Sequence, residues 1–340
     1  MRHLRGGEYI TPNISYINET KGVKSEAYIP PPPPVQALNE IWYTSSDGNI
    51  VTPYTTNVFG ANIVSNTYEN GKGIIKFDGD VTSIGNYAFS DCTSLTSITI
   101  PDSVTMIGYG AFDYCTSLTS VTIGNSVTLI RISAFGSCTS LTSVTIPDSV
   151  IWIEESAFYD CTSLTSVTIG NSVTEIEYGA FAGCTSLKAF YGKYASTDNR
   201  CLIVNGVLNS FAPVGLTEYT IPDSITEIGY GVFMECSSLT SITIPDSVTS
   251  FGEGAFAGCT SLTSITIPDS VTWIGYGAFY ECSSLTSVYC KPTTPPSGDS
   301  DMFYNNASDR MIYVPRNSVS IYKSTSGWNE YASYIVGYDF

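Results

Sequence analysis

SVTSFGEGAFAGCTSLTSITIP, running from Ser247 to Pro268, recurs with small changes along most of this chain. Its cysteine marks a comb: Cys92, Cys115, Cys138, Cys161 and Cys184, then Cys236, Cys259 and Cys282 after one longer interval, with teeth 23 residues apart. A fixed period of about 20 to 50 residues is the signature of a solenoid, in which each unit is one coil stacked on the next. Function is therefore to be sought on an extended surface rather than in a pocket.

Within the unit, Leu239, Ile242 and Ile244 sit at the first, fourth and sixth positions of Leu-Thr-Ser-Ile-Thr-Ile. The alternation through the last three suits a short strand with one side buried, which Pro or Gly then ends. The return path sends Val271, Ile274, Ala278, Phe279 and Cys282 inward. Stacked, these positions become ladders of Leu, Ile, Phe and Cys that form the core. The fold class expected is a repeat solenoid with short parallel strands, a β-rich N-terminal cap and an α+β C-terminal cap.

Outward from the array, residues 1–38 read as a tail ending in a polyproline linker, Pro30 to Pro34. That run should be a stiff spacer of about 3 Å per residue; it is either a tether to something else or a tail without a partner. Residues 39–79 read as the N-terminal cap, with strands expected at Ile41–Tyr43, Ile50–Val51 and Gly73–Phe77 between turn signals at Ser46-Asp47-Gly48 and Asn70-Gly71. The solenoid itself spans 80–290. Its long interval, Leu187 to Leu216, carries Cys201–Val204 and Val207-Leu208 around Asn205-Gly206. This predicts a hairpin insertion near 191–215, protruding from one coil, because Asn-Gly tolerates the positive φ of a tight hairpin turn. Residues 291–340 read as the C-terminal cap, with a strand at Met311–Val314 and a short helix from about Val319 capped by Asn317 or Ser318.

The chain of 340 residues has a net charge of −17. The array from Asp80 to Cys290 holds nineteen acidic residues against Arg131, Lys188, Lys193 and Arg200. Such a surface repels phosphate backbones, which argues against nucleic acid as a partner. No apolar run of about 18 residues is present to span a bilayer as a helix. The basic N-terminus, MRHLRGGEYITPN, is not followed by the apolar stretch of a secretory signal. Ten cysteines invite a disulfide reading, yet ladder neighbours stand about 4.8 Å apart, whereas bonded sulfurs need about 2.05 Å and suitable directions. The comb cysteines are therefore expected to be reduced, buried fillers, and Cys201 and Cys290 are left open.

Ile-Gly-x-x-Ala-Phe-x-x-Cys-Thr/Ser-Ser-Leu-Thr-Ser-Ile/Val-Thr-Ile-Pro, as written at Ile84 to Pro101, resembles the BspA-like leucine-rich repeats of bacterial surface proteins of the Bacteroidetes type, over about residues 80–290. The closing segment with Tyr313-Val314-Pro315 and Tyr322-Lys323 is similar to the stretch that follows such arrays. The resemblance implies secretion to the cell surface and attachment to host proteins, other cells or matrix, without chemistry. The ligand it implies is a protein or glycan. A phage virion that uses the same array to bind a receptor is the alternative setting.

The sequence also argues against catalysis. The single histidine, His3, lies in the tail, so Ser-His-Asp and Cys-His machinery is missing from the array. Asp78-Gly79-Asp80 and Asp299-Ser300-Asp301 do not extend to a calcium loop. The turn acids Asp102, Asp148, Asp223, Asp246 and Asp269 are expected to bond their own backbone. No metal and no cofactor is called for. Comparison among the units points instead to two variable positions. The residue before the second buried Ile runs Ser83, Met106, Leu129, Trp152, Glu175, Glu227, Ser250, Trp273; two residues beyond that Ile stand Asn86, Tyr109, Ile132, Glu155, Tyr178, Tyr230, Glu253, Tyr276. With Tyr159 and Tyr280, this defines a candidate binding band of Met106, Tyr109, Leu129, Trp152, Tyr159, Tyr178, Tyr230, Trp273, Tyr276 and Tyr280, rimmed by carboxylates. Exposed aromatic clusters mark interaction sites; the competing reading is that these side chains seal the convex side by packing on one another.

Overall fold

The computed structural model describes residues 35–340. The tail, His3 and the Pro30–Pro34 spacer lie outside them.

Every coil contributes two strands to two parallel ladders. The longer strands begin at Leu95–Thr99 and Ser120–Thr122, continue through Ser143–Thr145, Ser166–Ile169 and Ala189–Gly192, and resume from Glu218–Thr220 to Met311–Pro315 and Ile335–Tyr338. The shorter ladder is built of two-residue strands, Ser83–Ile84, Met106–Ile107, Leu129–Ile130, Trp152–Ile153 and Glu175–Ile176, and then Glu227–Ile228, Ser250–Phe251 and Trp273–Ile274. Pairing keeps equivalent residues opposite one another, as at Ile98 with Val121 and Ile107 with Ile130. A slip of one residue would turn each apolar side chain outward, so the alternating burial itself fixes the register.

Between the ladders, the Ala-Phe turn stacks through its backbone, with Phe89 N donating to Ala111 O and Phe112 N to Ala134 O. The rings follow: Phe89, Phe112, Phe135, Phe158 and Phe181 lie 4.9 to 5.3 Å apart and nearly parallel. The comb cysteines are free thiols. Cys115, Cys138, Cys161 and Cys184 each donate a weak bond to the carbonyl of the Phe one coil earlier. The thiol thus fills space and also satisfies a carbonyl that burial would otherwise leave bare.

The N-terminal sheet is antiparallel. Glu40–Ser45 pairs with Lys72–Phe77 on one side and with Leu95–Thr99 on the other, so it covers the edge of the first long strand. Ile63–Glu69 completes the sheet. The expected strand at Ile50–Val51 is absent: Val51 N donates to Tyr43 Oη, and Val51 O accepts from Asn66 Nδ2, so side chains take the place of a strand partner. Ile63–Glu69 escapes a sequence reading because its partly exposed, polar-rich IVSNTYE shows no clean alternation.

The hairpin at Cys201–Val204 and Val207–Phe211 is present, with Asn205 and Gly206 at positive φ. It does not protrude. Val207–Phe211 enters the short ladder beside Glu227–Ile228, and Cys201, Leu202 and Leu208 are fully buried. Two apolar clusters meet there, with Leu202 and Val204 on the N-terminal side and Leu208 and Phe211 on the other. Its apolar content, and not a loop insertion, is what draws it inward.

At the other end the helix Val319–Ser324 forms, but Ser318 does not cap it. Its hydroxyl donates to Thr293 O. Tyr322 Oη and Trp328 Nε1, both wholly buried, donate to Pro292 O and Pro296 O and hold the proline segment down. The turn aspartates also depart from expectation at Asp102 and Asp148. Each accepts from the backbone N–H of the Asn one coil later, Asn125 and Asn171, so the bond joins coils rather than closing a local turn.

Candidate functional site

The short ladder positions the first set of band residues. Met106, Leu129 and Trp152 are successive rungs, and Trp152 lies between Leu129 and Glu175. Trp273 stands between Ser250 and Ser297. In a two-residue strand whose second member is buried, the first must point the other way. Trp152 and Trp273 accordingly remain 37% and 40% exposed although flanked by a packed core.

The second set follows in the adjoining turn. Tyr178 and Tyr276 are 59% and 53% exposed, and Tyr109 meets Tyr87 edge-on at 5.1 Å. Tyr230 packs over the turn at Gly179, where an added methyl would touch its ring. Burial raises the Tyr159 hydroxyl pKa, with Tyr230 as the next cause. Tyr280 stacks on Tyr304 at 5.4 Å, and the nearby Asp301 carboxylate raises the Tyr276 hydroxyl pKa. The ten residues therefore form several local groups: a Met106–Leu129–Trp152 run, Tyr109 against Tyr87, Tyr230 over the turn beside Tyr178 with Tyr159 near it, and a Trp273–Tyr276–Tyr280 group at the C-terminal end. Tyr87 and Tyr304 extend these groups and were missed, because Tyr87 falls at a position where most units carry Gly or Ser and Tyr304 lies beyond the regular repeat.

The carboxylates nearby are partly structural. Glu154, 7% exposed, pairs with Arg131 at 3.3 Å and accepts from Ile132 N at 3.0 Å. Glu177 similarly accepts from Glu155 N. Asp78 is held below its usual range by bonds from Asn62.

The thiols are poorly suited to nucleophilic work. Burial pushes Cys92 up to about 11, and Cys201 and Cys290 up to about 12, whereas a reactive cysteine needs a depressed pKa. Cys201 shares its bond with Tyr219, whose hydroxyl donates to Asp198, and Cys290 shares one with Tyr322. Both are tied into packing. Among the described residues no group of three or more His, Cys, Asp or Glu is placed to hold a metal ion, and no helix is long and apolar enough to cross a membrane.

Coils of 23 residues, stacked on parallel ladders with an inward Leu, Ile, Phe and Cys in each, define a leucine-rich-repeat β-solenoid. The chain belongs to the BspA type leucine rich repeat family, whose model matches in six copies over residues 61–190 and 208–326. Among solved structures it is similar to a leucine-rich repeat protein from Eubacterium ventriosum, at 27% identity and a TM-score of 0.57, over 70% of this chain and 64% of that one. It thus spans less than two thirds of that relative. A leucine rich repeat protein from T. pallidum shares 33% identity over 55% of this chain and 74% of its own, at a TM-score of 0.38. A leucine rich cell surface protein from Faecalibacterium prausnitzii shares 24% over 79% and 89%, at 0.45. No curated protein matches the sequence. The family is a repeat scaffold, typically without enzymatic activity, and its extended surface suits protein–protein interaction or adhesion.

Proposed function

We propose that this chain is a non-enzymatic adhesion protein that acts outside the cell and binds a protein or glycan through the aromatic groups of its repeat surface. The observation that carries this reading is the exposure of Trp152 and Trp273 at a ladder position where other coils place Ser83, Ser250 and Ser297. The fold accepts serine there, so tryptophan adds apolar surface that folding does not demand. Large rings on a rigid strand bind with little loss of side-chain freedom and stack on sugar rings as well as on apolar protein surface. In this reading 80–290 is the binding array, 39–79 and 291–340 protect its two ends, and 1–38 links it to whatever carries it. The array's acidic surplus steers it away from nucleic acid. The purified protein applied to arrays of glycans and extracellular-matrix proteins should bind a defined subset, and a Trp152→Ala, Trp273→Ala double variant should lose that signal. Retention of every hit by the double variant would remove the rings from the binding face.

A further inference from the structure

The N-terminal cap and the first two coils together carry a cleft of about 440 Å³ lined by Tyr54, Tyr87, Ser90, Asp91, Asp113 and Tyr114. It lies outside the two tryptophan groups. Tyr54, Tyr87 and Tyr114 are 71%, 41% and 53% exposed, so their rings contribute little to the core.

Two of these tyrosines stand where the backbone disfavours them. Tyr87 has φ 56° and Tyr114 has φ 57°, in the left-handed region that a bulky side chain seldom occupies. At the position of Tyr87 later coils place Gly110, Gly179, Gly231, Gly254 and Gly277, all at positive φ. At the position of Tyr114 two later coils place Gly183 and Gly258, while Asp91, Ser137, Asp160, Glu235 and Glu281 hold the same positive φ there, as Ser133 and Ser156 do at the position of Tyr87. The left-handed turn is thus common to the coils and is satisfied by Gly, Ser, Asp or Glu, so what Tyr87 and Tyr114 add is exposed aromatic surface around one cleft that the turn itself does not require.

The carboxylates that line the cleft set the ligand's charge. Asp113 is only partly exposed, and burial, with the neighbouring Asp91 charge, holds its carboxyl above the ordinary range. Neither carboxylate is in an ion pair among the described residues. Two carboxylates lining one cleft with three tyrosine rings are complementary to an organic cation, which would relieve their mutual repulsion and could lie against an electron-rich ring.

We propose that this cleft receives an exposed Lys or Arg side chain of a partner protein, gripped by Tyr54, Tyr87 and Tyr114 over Asp91 and Asp113. The site is separate from the tryptophan groups and stands or falls without them. The test is a ligand-observed NMR titration of the whole chain with the peptides acetyl-Gly-Lys-Gly-amide, acetyl-Gly-Arg-Gly-amide and acetyl-Gly-Gln-Gly-amide, and with maltotriose as a neutral saccharide. Two variants, Tyr87→Gly and Asp113→Asn, are titrated alongside. The cationic peptides should saturate one site and weaken with added salt. Both variants should lower their affinity by about tenfold or more, while Tyr87→Gly should melt no lower than the parent, because it restores the residue that other coils use. Equal binding of the glutamine peptide, binding of maltotriose in place of the cations, unchanged affinity in the two variants, or a large drop in Tm for Tyr87→Gly would each overturn the proposal.

Discussion

At the scale of single residues, the stacked phenylalanines show most directly what the repeat is for. Phe135 lies 4.9 Å from Phe112 and 5.0 Å from Phe158, fully buried. Removing its ring opens a cavity that rigid neighbours on two sides cannot fill, so Phe135→Ala should cost about 3–5 kcal/mol in urea unfolding. The thiols predict a different behaviour. Cys92 is the most accessible of the ten, so a thiol reagent at neutral pH should label at most that residue in the native protein and all ten after denaturation. Rapid labelling of several native thiols would contradict the buried ladder. The sequence disclosed the comb as buried and reduced, since its spacing forbids easy bridging; it did not disclose that each thiol feeds a Phe carbonyl, because that partner is 26 residues away. The turn aspartates misled for a related reason: Asp102 and Asp148 satisfy the next coil, and a reading confined to one turn sees only local backbone.

At the scale of elements, the alternation of Pro-Asp with Gly-Asn in the first half of the array has a steric cause. A methyl at Gly124 would lie 2.4 Å from Pro101 O, and one at Gly170 would lie 2.5 Å from Pro147 O. The coil after each Pro-Asp turn therefore approaches it closely, and the Asp carboxylate reaches the Asn of that coil. Gly170→Ala should lower stability by about 1–3 kcal/mol through forced separation of the two turns, read as a shift in the denaturant midpoint. The hairpin was legible from Asn205-Gly206, but its place was not. Turn chemistry reports that two strands meet, whereas burial of Leu202 and Leu208 depends on which ladder has a vacancy, and that is a property of the stack. The same distinction explains Ile63–Glu69, which pairs by backbone while its side chains give little periodic signal.

At the scale of the whole molecule, each coil contacts mainly its neighbours, so length and stability are separable. Deletion of residues 102–147 removes two coils and joins Pro101 to Asp148, leaving every ladder in register. The shortened chain should fold with native-like circular dichroism and a lower but still cooperative transition; an unfolded product would contradict nearest-neighbour stacking. Stability should also fall at alkaline pH. Thiols whose pKa rises from 9.0 to about 11 at Cys92, and to about 12 at Cys201 and Cys290, bind their protons more tightly in the folded state. Their contribution is complete below pH 9 and is lost as pH rises through the folded values. Tm should therefore decline between pH 9 and 12, and the decline should shrink in a Cys201→Ala, Cys290→Ala variant. The fold class was readable because one phrase repeats in register; the grouping of the aromatic residues was not, since Tyr230 packs over Gly179 across the long interval between coils.

The claim on which the function rests is that the exposed rings are surplus to folding. Equilibrium urea unfolding of the parent chain beside a Trp152→Ser, Trp273→Ser double variant tests it, since serine already occupies that ladder position at Ser83, Ser250 and Ser297. The predicted result is an unfolding free energy within about 0.5 kcal/mol of the parent, as for surface substitutions. A loss of several kcal/mol, comparable to that of Phe135→Ala, would show that the tryptophans seal the array and leave no aromatic face free for a partner.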